Sequence, residues 1–262
     1  MSNVVVVAAL APVMASPSVR AELVTQLVMG ETALLRERQG EWFAIRSDVD
    51  GYEGWINCGY LRELTPADAA AWQTNASAFS GGARIAVGRD LVLAPLRARL
   101  QLEDALVTLP DGRAGRLLDG AVRSVVDTVA AARAASPDAW ALEHFCGAYY
   151  LWGGVTPLGV DCSGLVQTTF LLRGVKLPRD SSAQAGAGGH IALNETRPGD
   201  LLFFRSESGS DTITHVALAA PADSIVHSTI SCGGVVHESF APGTRAGEAL
   251  RPRLVAARRV AA

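Results

Sequence analysis

Lysine is almost missing from this 262-residue chain: Lys176 is the only one, and the other 22 of its 23 basic residues are arginine. Lysine-based Schiff-base chemistry is therefore absent from most of the chain. A basic excess is missing too, since 23 basic side chains stand against 26 acidic ones, a net charge of −3. A protein held to nucleic acid through its phosphates would show a basic excess or stripe, so the balance argues against that partner. Cysteine is sparse. Cys58, Cys146, Cys162 and Cys232 form no CxxC pair and no Cys/His cluster at zinc spacing. Four cysteines are too few for a secreted disulfide scaffold. No apolar run approaches the ~18–20 residues of a membrane span. What remains is 49% hydrophobic and 19% charged, the composition of a folded globular protein.

The length allows one large domain or two to three small ones. Residues 1–64 read as short strands separated by turns: the β-branched run at 4–10, then 23–27, 32–36, 41–46 and 53–56, with glycine turns at Gly30 and Gly51. That spacing suggests a small barrel. Residues 65–82 are an alanine-rich helical or loop stretch that ends in Ser80-Gly81-Gly82 and reads as a linker. Residues 83–120 again carry strand signals around the turn Pro110-Asp111-Gly112, as in a second, degenerate copy of the barrel. Residues 121–137 have apolar positions at helical spacing and read as a helical connector. From 138 to 262, helices come first, including a buried one over 165–173. A run of strands at 201–204, 214–219, 224–229, 235–239 and 254–260 follows. Helices followed by a run of strands imply an α+β domain.

Cys162 is the outstanding reactive residue. It stands at the expected N-terminus of the buried helix, after Gly159-Val160-Asp161. Unpaired N–H groups and partial positive charge there favour thiolate, the nucleophilic form. A base is supplied by His215, which strand alternation turns to a different face from Val216 and Leu218. His227 lies twelve residues on, across an expected hairpin turn near Pro221-Ala222-Asp223, so the two imidazoles become neighbours. Nucleophile, base and a group that fixes the base are the parts of a catalytic triad.

Asp161-Cys162-Ser163-Gly164-Leu165-Val166, with Tyr150-Leu151-Trp152-Gly153-Gly154 before it, resembles the NlpC family of papain-like cysteine peptidases. The blocks Arg197-Pro198-Gly199-Asp200-Leu201, His215-Val216-Ala217 and Val226-His227 follow in the family's order. Gly51-Tyr52-Glu53-Gly54-Trp55-Ile56 resembles the bacterial SH3-like modules that accompany such domains. The resemblance implies an α+β papain-like catalytic domain preceded by one or two small all-β SH3-like barrels. It implies hydrolysis of the γ-D-glutamyl–diamino acid amide in cell-wall peptides, without metal or organic cofactor. Cys162 would be the nucleophile, His215 the base, His227 the orienting residue and Tyr150 an oxyanion donor.

Leu177-Pro178-Arg179-Asp180-Ser181-Ser182 is similar to a muropeptide-recycling subgroup that cleaves peptides with a free N-terminal L-alanine. By that match, Glu31 and Tyr52 from the first SH3-like module, with Asp161, Ser163, Arg179, Asp180 and Ser181, would bind substrate. An α-ammonium needs acceptors such as Glu31 or Asp180, and a carboxylate needs donors such as Ser163. The expected partner is a small cell-wall peptide. The subgroup's first strand matches the apolar start of the chain, and no Lys or Arg precedes Arg20. That favours a cytoplasmic protein over a periplasmic or secreted one. Two other readings stand beside this one: a non-catalytic wall-binding protein, and an N-acetylmuramyl-L-alanine amidase on the same fold.

Overall fold

The computed structural model describes residues 2–261 and divides into two compact units, one running to Thr128 and one starting at Val129. In the first unit, β1 (Asn3–Val6), β2 (Leu10–Met14), β3 (Leu23–Val28), β4 (Thr32–Gln39), β5 (Trp42–Ser47), β6 (Glu53–Asn57) and β7 (Leu61–Leu64) form one antiparallel sheet. Its order is β3-β2-β6-β5-β4-β1-β7. The valine run at the start of the chain is interior: β1 lies between β4 and β7, and Val4, Val5 and Val6 are buried. Val4 and Val6 pack with Val13, Leu27, Ile45 and Ile56. Burial of each such side chain stabilises the barrel by about 1.5–3 kcal/mol.

Helix α1 (Pro66–Asn75) starts where Thr65 caps it, its Oγ1 accepting the Asp68 N–H at 3.1 Å, with Pro66 in the first turn. A second seven-stranded sheet follows: β8 (Ala78–Ser80), β9 (Ala83–Val87), β10 (Asp90–Ala94), β11 (Arg99–Glu103), β12 (Leu106–Thr108), β13 (Ala114–Asp119) and β14 (Val122–Ser124). Two expectations shift here. Residues 65–82, read as a linker, hold α1 and β8, while β14 falls within the expected helical connector. These two strands pair with each other, Val122 opposite Ser80. Three residues are too few to show alternation, so the sequence pattern hides them. Helix α2 (Val125–Arg133) therefore begins four residues later than its apolar spacing suggests.

Contacts around Gly30 tie the two sheets of this unit together. Gly30 has φ +80°, and a Cβ there would lie 2.0 Å from the Arg99 carbonyl oxygen, so only glycine fits. The Arg99 N–H donates to the Met29 carbonyl at 2.8 Å, and Trp72 Nε1 donates to the Gly30 carbonyl at 2.8 Å.

In the second unit, α3 (Pro137–Phe145), the short hairpin β15 (Val155–Thr156) and β16 (Gly159–Val160), α4 (Cys162–Leu171) and α5 (Ser181–Gln184) precede a six-stranded sheet. That sheet comprises β17 (Gly189–Ile191), β18 (Leu201–Arg205), β19 (Ile213–Ala220), β20 (Ser224–Thr229), β21 (Gly234–Ser239) and β22 (Leu254–Arg259), with α6 (Arg245–Leu250) before the last strand. The order is β17-β22-β18-β19-β20-β21, all antiparallel. Alternation sorts its faces. Leu202, Phe204, Ala217, Ala219, Ile225 and Ala257 pack with Phe240 and with Ala246 and Leu250 of α6. The alternate residues Leu201, Phe203, Val216, Leu218 and Val226 are also buried; helices α3 and α4 pack on β19 and β20. The fold class is α+β behind an all-β region.

Candidate active site

Asp161 sets the start of α4. Its backbone is extended (φ −95°, ψ 179°), and its Oδ1 accepts the Gly164 N–H at 2.7 Å, the bond of an N-cap. Its Oδ2 accepts the Gly153 N–H at 2.8 Å. Gly164 is needed at this point, because a Cβ would lie 2.1 Å from the Gly154 carbonyl oxygen. Cys162 is thus the first residue of a capped helix and is only 7% exposed.

The N–H groups of Val216 and Ser163 favour the Cys162 thiolate. Val216 follows His215 in β19, the strand on which α4 packs. Burial nevertheless pushes the thiol up to about 12; the Asp161 charge adds to this, while the two N–H bonds and Arg179 oppose it. The helix-terminus argument made from sequence points the other way. In the folded chain desolvation outweighs it, and the resting group is a thiol.

His215 and His227 are brought together by strand register. β19 pairs with β20 with Leu218 opposite Val226, which makes His215 and His227 diagonal neighbours on one face. His215 Nε2 and His227 Nδ1 are 2.8 Å apart. Burial lowers His215 to about 3, with the charges of His227 and Arg253 acting in the same direction.

Glu238 was not found from the sequence. β20 pairs with β21 with His227 opposite Val236, so Glu238, two residues on, stands diagonally on the same face. Its Oε1 lies 2.8 Å from His227 Nε2. Arg245 grips both carboxylate oxygens, with Nε 2.9 Å from Oε2. These hydrogen bonds, His227's first among them, hold the Glu238 carboxyl down at about 2 against the effect of burial. Cys232, which the sequence left without a role, comes to 3.9 Å from Glu238 Oε2. Extending the face of His227 across the next hairpin was the signal that could have found Glu238.

Tyr150 enters the same region. An open pocket of about 200 Å³ is lined by Tyr150, Thr214, His215 and His227, with Arg245 and Arg253 also on its wall. Tyr150 is pushed up to about 12, first by burial and then by the nearby Cys162 and Asp161 charges. Its phenol keeps its proton and can donate.

The expected substrate residues separate into groups. Asp161, Ser163 and Arg179 form one buried cluster. Arg179 Nη1 donates to Ser163 Oγ at 2.7 Å and to Asp161 Oδ1 at 3.0 Å, and its Nη2 donates to Asp161 Oδ2. Asp180 is exposed and Ser181, beginning α5, is nearly covered. Tyr52 is half-buried in the turn before β6 of the first unit. Its N–H donates to Asp50 Oδ1 at 3.0 Å, and its carbonyl accepts the Ser47 N–H at 2.9 Å.

Glu31, expected as an acceptor for the substrate ammonium, is buried and already holds partners within the first unit. It is 4% exposed, its Oε1 takes Arg97 Nε at 2.8 Å and Nη2 at 2.6 Å, and its Oε2 takes the Val28 N–H at 2.9 Å. Burial lifts its pKa above the ordinary carboxylate value, opposed by Arg97 and the Val28 N–H. The partner lies 66 residues away, beyond the reach of any local pattern.

Comparison with known proteins bears on both units. The NlpC/P60 family profile matches residues 147–249, and the bacterial dipeptidyl-peptidase Sh3 domain profile matches residues 13–61. The gamma-D-glutamyl-L-lysine dipeptidyl-peptidase of Bacillus subtilis (strain 168) is 30% identical over 224 residues, 78% of this chain and 71% of that protein. The protein of the same name from Bacillus cereus is 27% identical over 79% of this chain and 67% of its own length. The crystal structure of an NlpC/P60 family protein from Bacillus cereus shares the fold with a TM-score of 0.79. It is 21% identical and covers 98% of this chain and 99% of its own.

Proposed function

We propose, for a chain that belongs to the NlpC/P60 family and is a cysteine peptidase, that it cleaves the γ-D-glutamyl–diamino acid bond of short cell-wall peptides. The observation that carries this reading is the position of buried Cys162 at the start of α4, which packs on β19, the strand that carries His215 in its 2.8 Å contact with His227. The names of the two Bacillus relatives support the choice of bond.

In this reading His215 Nε2 is engaged with His227, so Nδ1 is the nitrogen left to take the Cys162 proton. The thiolate attacks the γ-carbonyl carbon of D-glutamate. The developing oxyanion is met by the Tyr150 hydroxyl and by the N–H of Cys162 at the helix terminus. Protonated His215 then gives its proton to the departing amine of the diamino acid, leaving a thioester on Cys162. Water, deprotonated by His215, attacks the thioester and releases the peptide's amino-terminal part as L-Ala-D-Glu.

On the substrate side, the exposed Asp180 is the candidate acceptor for the free α-ammonium of L-alanine, and Ser181 a candidate donor to the D-glutamate carboxylate. Asp161 and Arg179, locked to each other, and Ser163, bonded to both, hold the nucleophile's helix start in shape.

The test is product identification by mass spectrometry from L-Ala-γ-D-Glu-meso-diaminopimelate, the L-lysine analogue, and each peptide with its L-alanine acetylated. Release of L-Ala-D-Glu from the free peptides and poor cleavage of the acetylated ones are expected. Cleavage at the muramyl–alanine amide of a muropeptide instead would replace this reading with an amidase.

A further inference from the structure

We propose that Glu238 is a positioning residue of the peptidase, which sets the proton pattern of the histidine pair and thereby keeps His215 Nδ1 free to act as base. The inference rests on the reading of Cys162 and His215 as nucleophile and base given above.

His215, His227 and Glu238 form a chain of three side chains on neighbouring strands. For neutral His215 to accept a proton at Nδ1, its own proton must sit on Nε2. That N–H then donates to His227 Nδ1, 2.8 Å away. His227 Nδ1 must therefore be bare, and its proton must sit on Nε2. A bare Nδ1 and a protonated Nε2 on His227 require an acceptor at Nε2, and Glu238 Oε1 stands there at 2.8 Å. A carboxylate is acceptor-only when ionised, so it enforces this tautomer; an amide could present its NH₂ and reverse it. Arg245 keeps the acceptor ionised and aimed, through contacts to both oxygens. The charged and titratable neighbours along the chain are Arg253 at His215, His227 and Glu238 at each other, and Arg245 and Cys232 at Glu238.

A second consequence follows when Cys162 gives its proton to His215. No bond other than S–H breaks, and the new positive charge sits on His215. The Glu238 charge, relayed through His227, stabilises that imidazolium against the burial that disfavours it. Glu238 thus favours the thiolate–imidazolium pair over the neutral one.

The experiment compares wild type, Glu238→Gln, His227→Gln and the double variant. The readouts are kcat and KM on L-Ala-γ-D-Glu-L-Lys, and the pH dependence of iodoacetamide alkylation of Cys162, followed by peptide mass spectrometry. Glu238→Gln is expected to lower kcat by ~10- to 100-fold with KM within about twofold. It should also slow alkylation of Cys162 at any given pH below 9. The double variant should be no slower than His227→Gln alone, because Glu238 acts through that ring. A kcat within about twofold of wild type with an unchanged alkylation rate, or losses that multiply in the double variant, would overturn the proposal.

Alkylation needs no substrate. If wild type cleaves no such peptide, the proposed function fails while the shift in alkylation still decides the role of Glu238. Should Glu238→Gln not fold, ¹⁵N NMR of wild-type histidines decides: His227 protonated at Nε2 and bare at Nδ1 is expected, and the reverse tautomer overturns the proposal.

Discussion

Arg179 lies across both carboxylate oxygens of Asp161, one residue before Cys162, and both side chains are buried. The pair does two jobs. It lets Asp161 cap α4 without leaving a bare negative charge beside the Cys162 sulfur, and it ties the segment after Leu177 to the helix start. Arg179→Ala leaves the Asp161 charge buried and uncompensated, which costs about 3–5 kcal/mol of stability. It also raises the Cys162 pKa further, since Asp161 raises it and Arg179 lowers it. Denaturant melts and the rate of iodoacetamide alkylation at fixed pH check both effects. An unchanged alkylation rate in a folded variant would contradict the electrostatic part.

Tyr150→Phe removes a donor that stays protonated at every working pH, its phenol being held near 12. Loss of one oxyanion donor lowers kcat on the order of 10²-fold, with little change in KM. Steady-state kinetics on a γ-D-glutamyl peptide reads this directly. A larger effect on KM than on kcat would make Tyr150 a substrate-binding residue instead.

The buried Cys162 and His215 side chains give stability a defined pH dependence. His215 titrates at about 3 in the folded chain against an ordinary 6.5. Its contribution is therefore fully present above pH 6.5 and is lost as pH falls toward 3. Cys162 is raised from 9 to about 12, so its contribution is present below pH 9 and is lost as pH rises toward 12. Each group adds a slope of up to about 1.4 kcal/mol per pH unit within its window. Urea unfolding at a series of pH values should show His215→Gln flattening the acid side and Cys162→Ala flattening the alkaline side. The same slopes in wild type and variants would refute the assignment.

Glu31 and Arg97 form a buried ion pair inside the first unit. Removing one charge, as in Glu31→Ala, is expected to cost about 3–5 kcal/mol. Replacing both, as Glu31→Met with Arg97→Leu, should recover much of that loss, because no buried charge is then left alone. A double-variant cycle by chemical denaturation measures it. Loss in the double variant equal to the sum of the singles would show that the two side chains do not act as a pair.

The catalytic half was legible from sequence where local rules govern. An aspartate cap, a small residue and a cysteine opening an apolar helix are readable in Asp161-Cys162-Ser163-Gly164. Alternation in two adjacent strands was enough to bring His215 to His227. Glu238 escaped because its place depends on the register of β20 against β21, fixed by the Ile230–Gly233 turn, where Gly233 has φ +75°. Glu31 escaped for a different reason. Its partner is set by packing between two sheets, and no spacing rule links residues 31 and 97. The short strands β8 and β14 were invisible because three residues carry no period. At Cys162, burial, a property of the whole fold, opposes the helix-terminus effect that the local sequence shows.

The central claim is that Cys162 carries the acyl group of a γ-D-glutamyl peptide. Its most direct test is hydrolysis of L-Ala-γ-D-Glu-L-Lys in the presence of hydroxylamine, with products resolved by mass spectrometry for wild type and Cys162→Ala. Wild type should yield L-Ala-D-Glu together with its γ-hydroxamate, formed when hydroxylamine intercepts the thioester, and Cys162→Ala should yield neither. Undiminished release of L-Ala-D-Glu by Cys162→Ala would contradict the account.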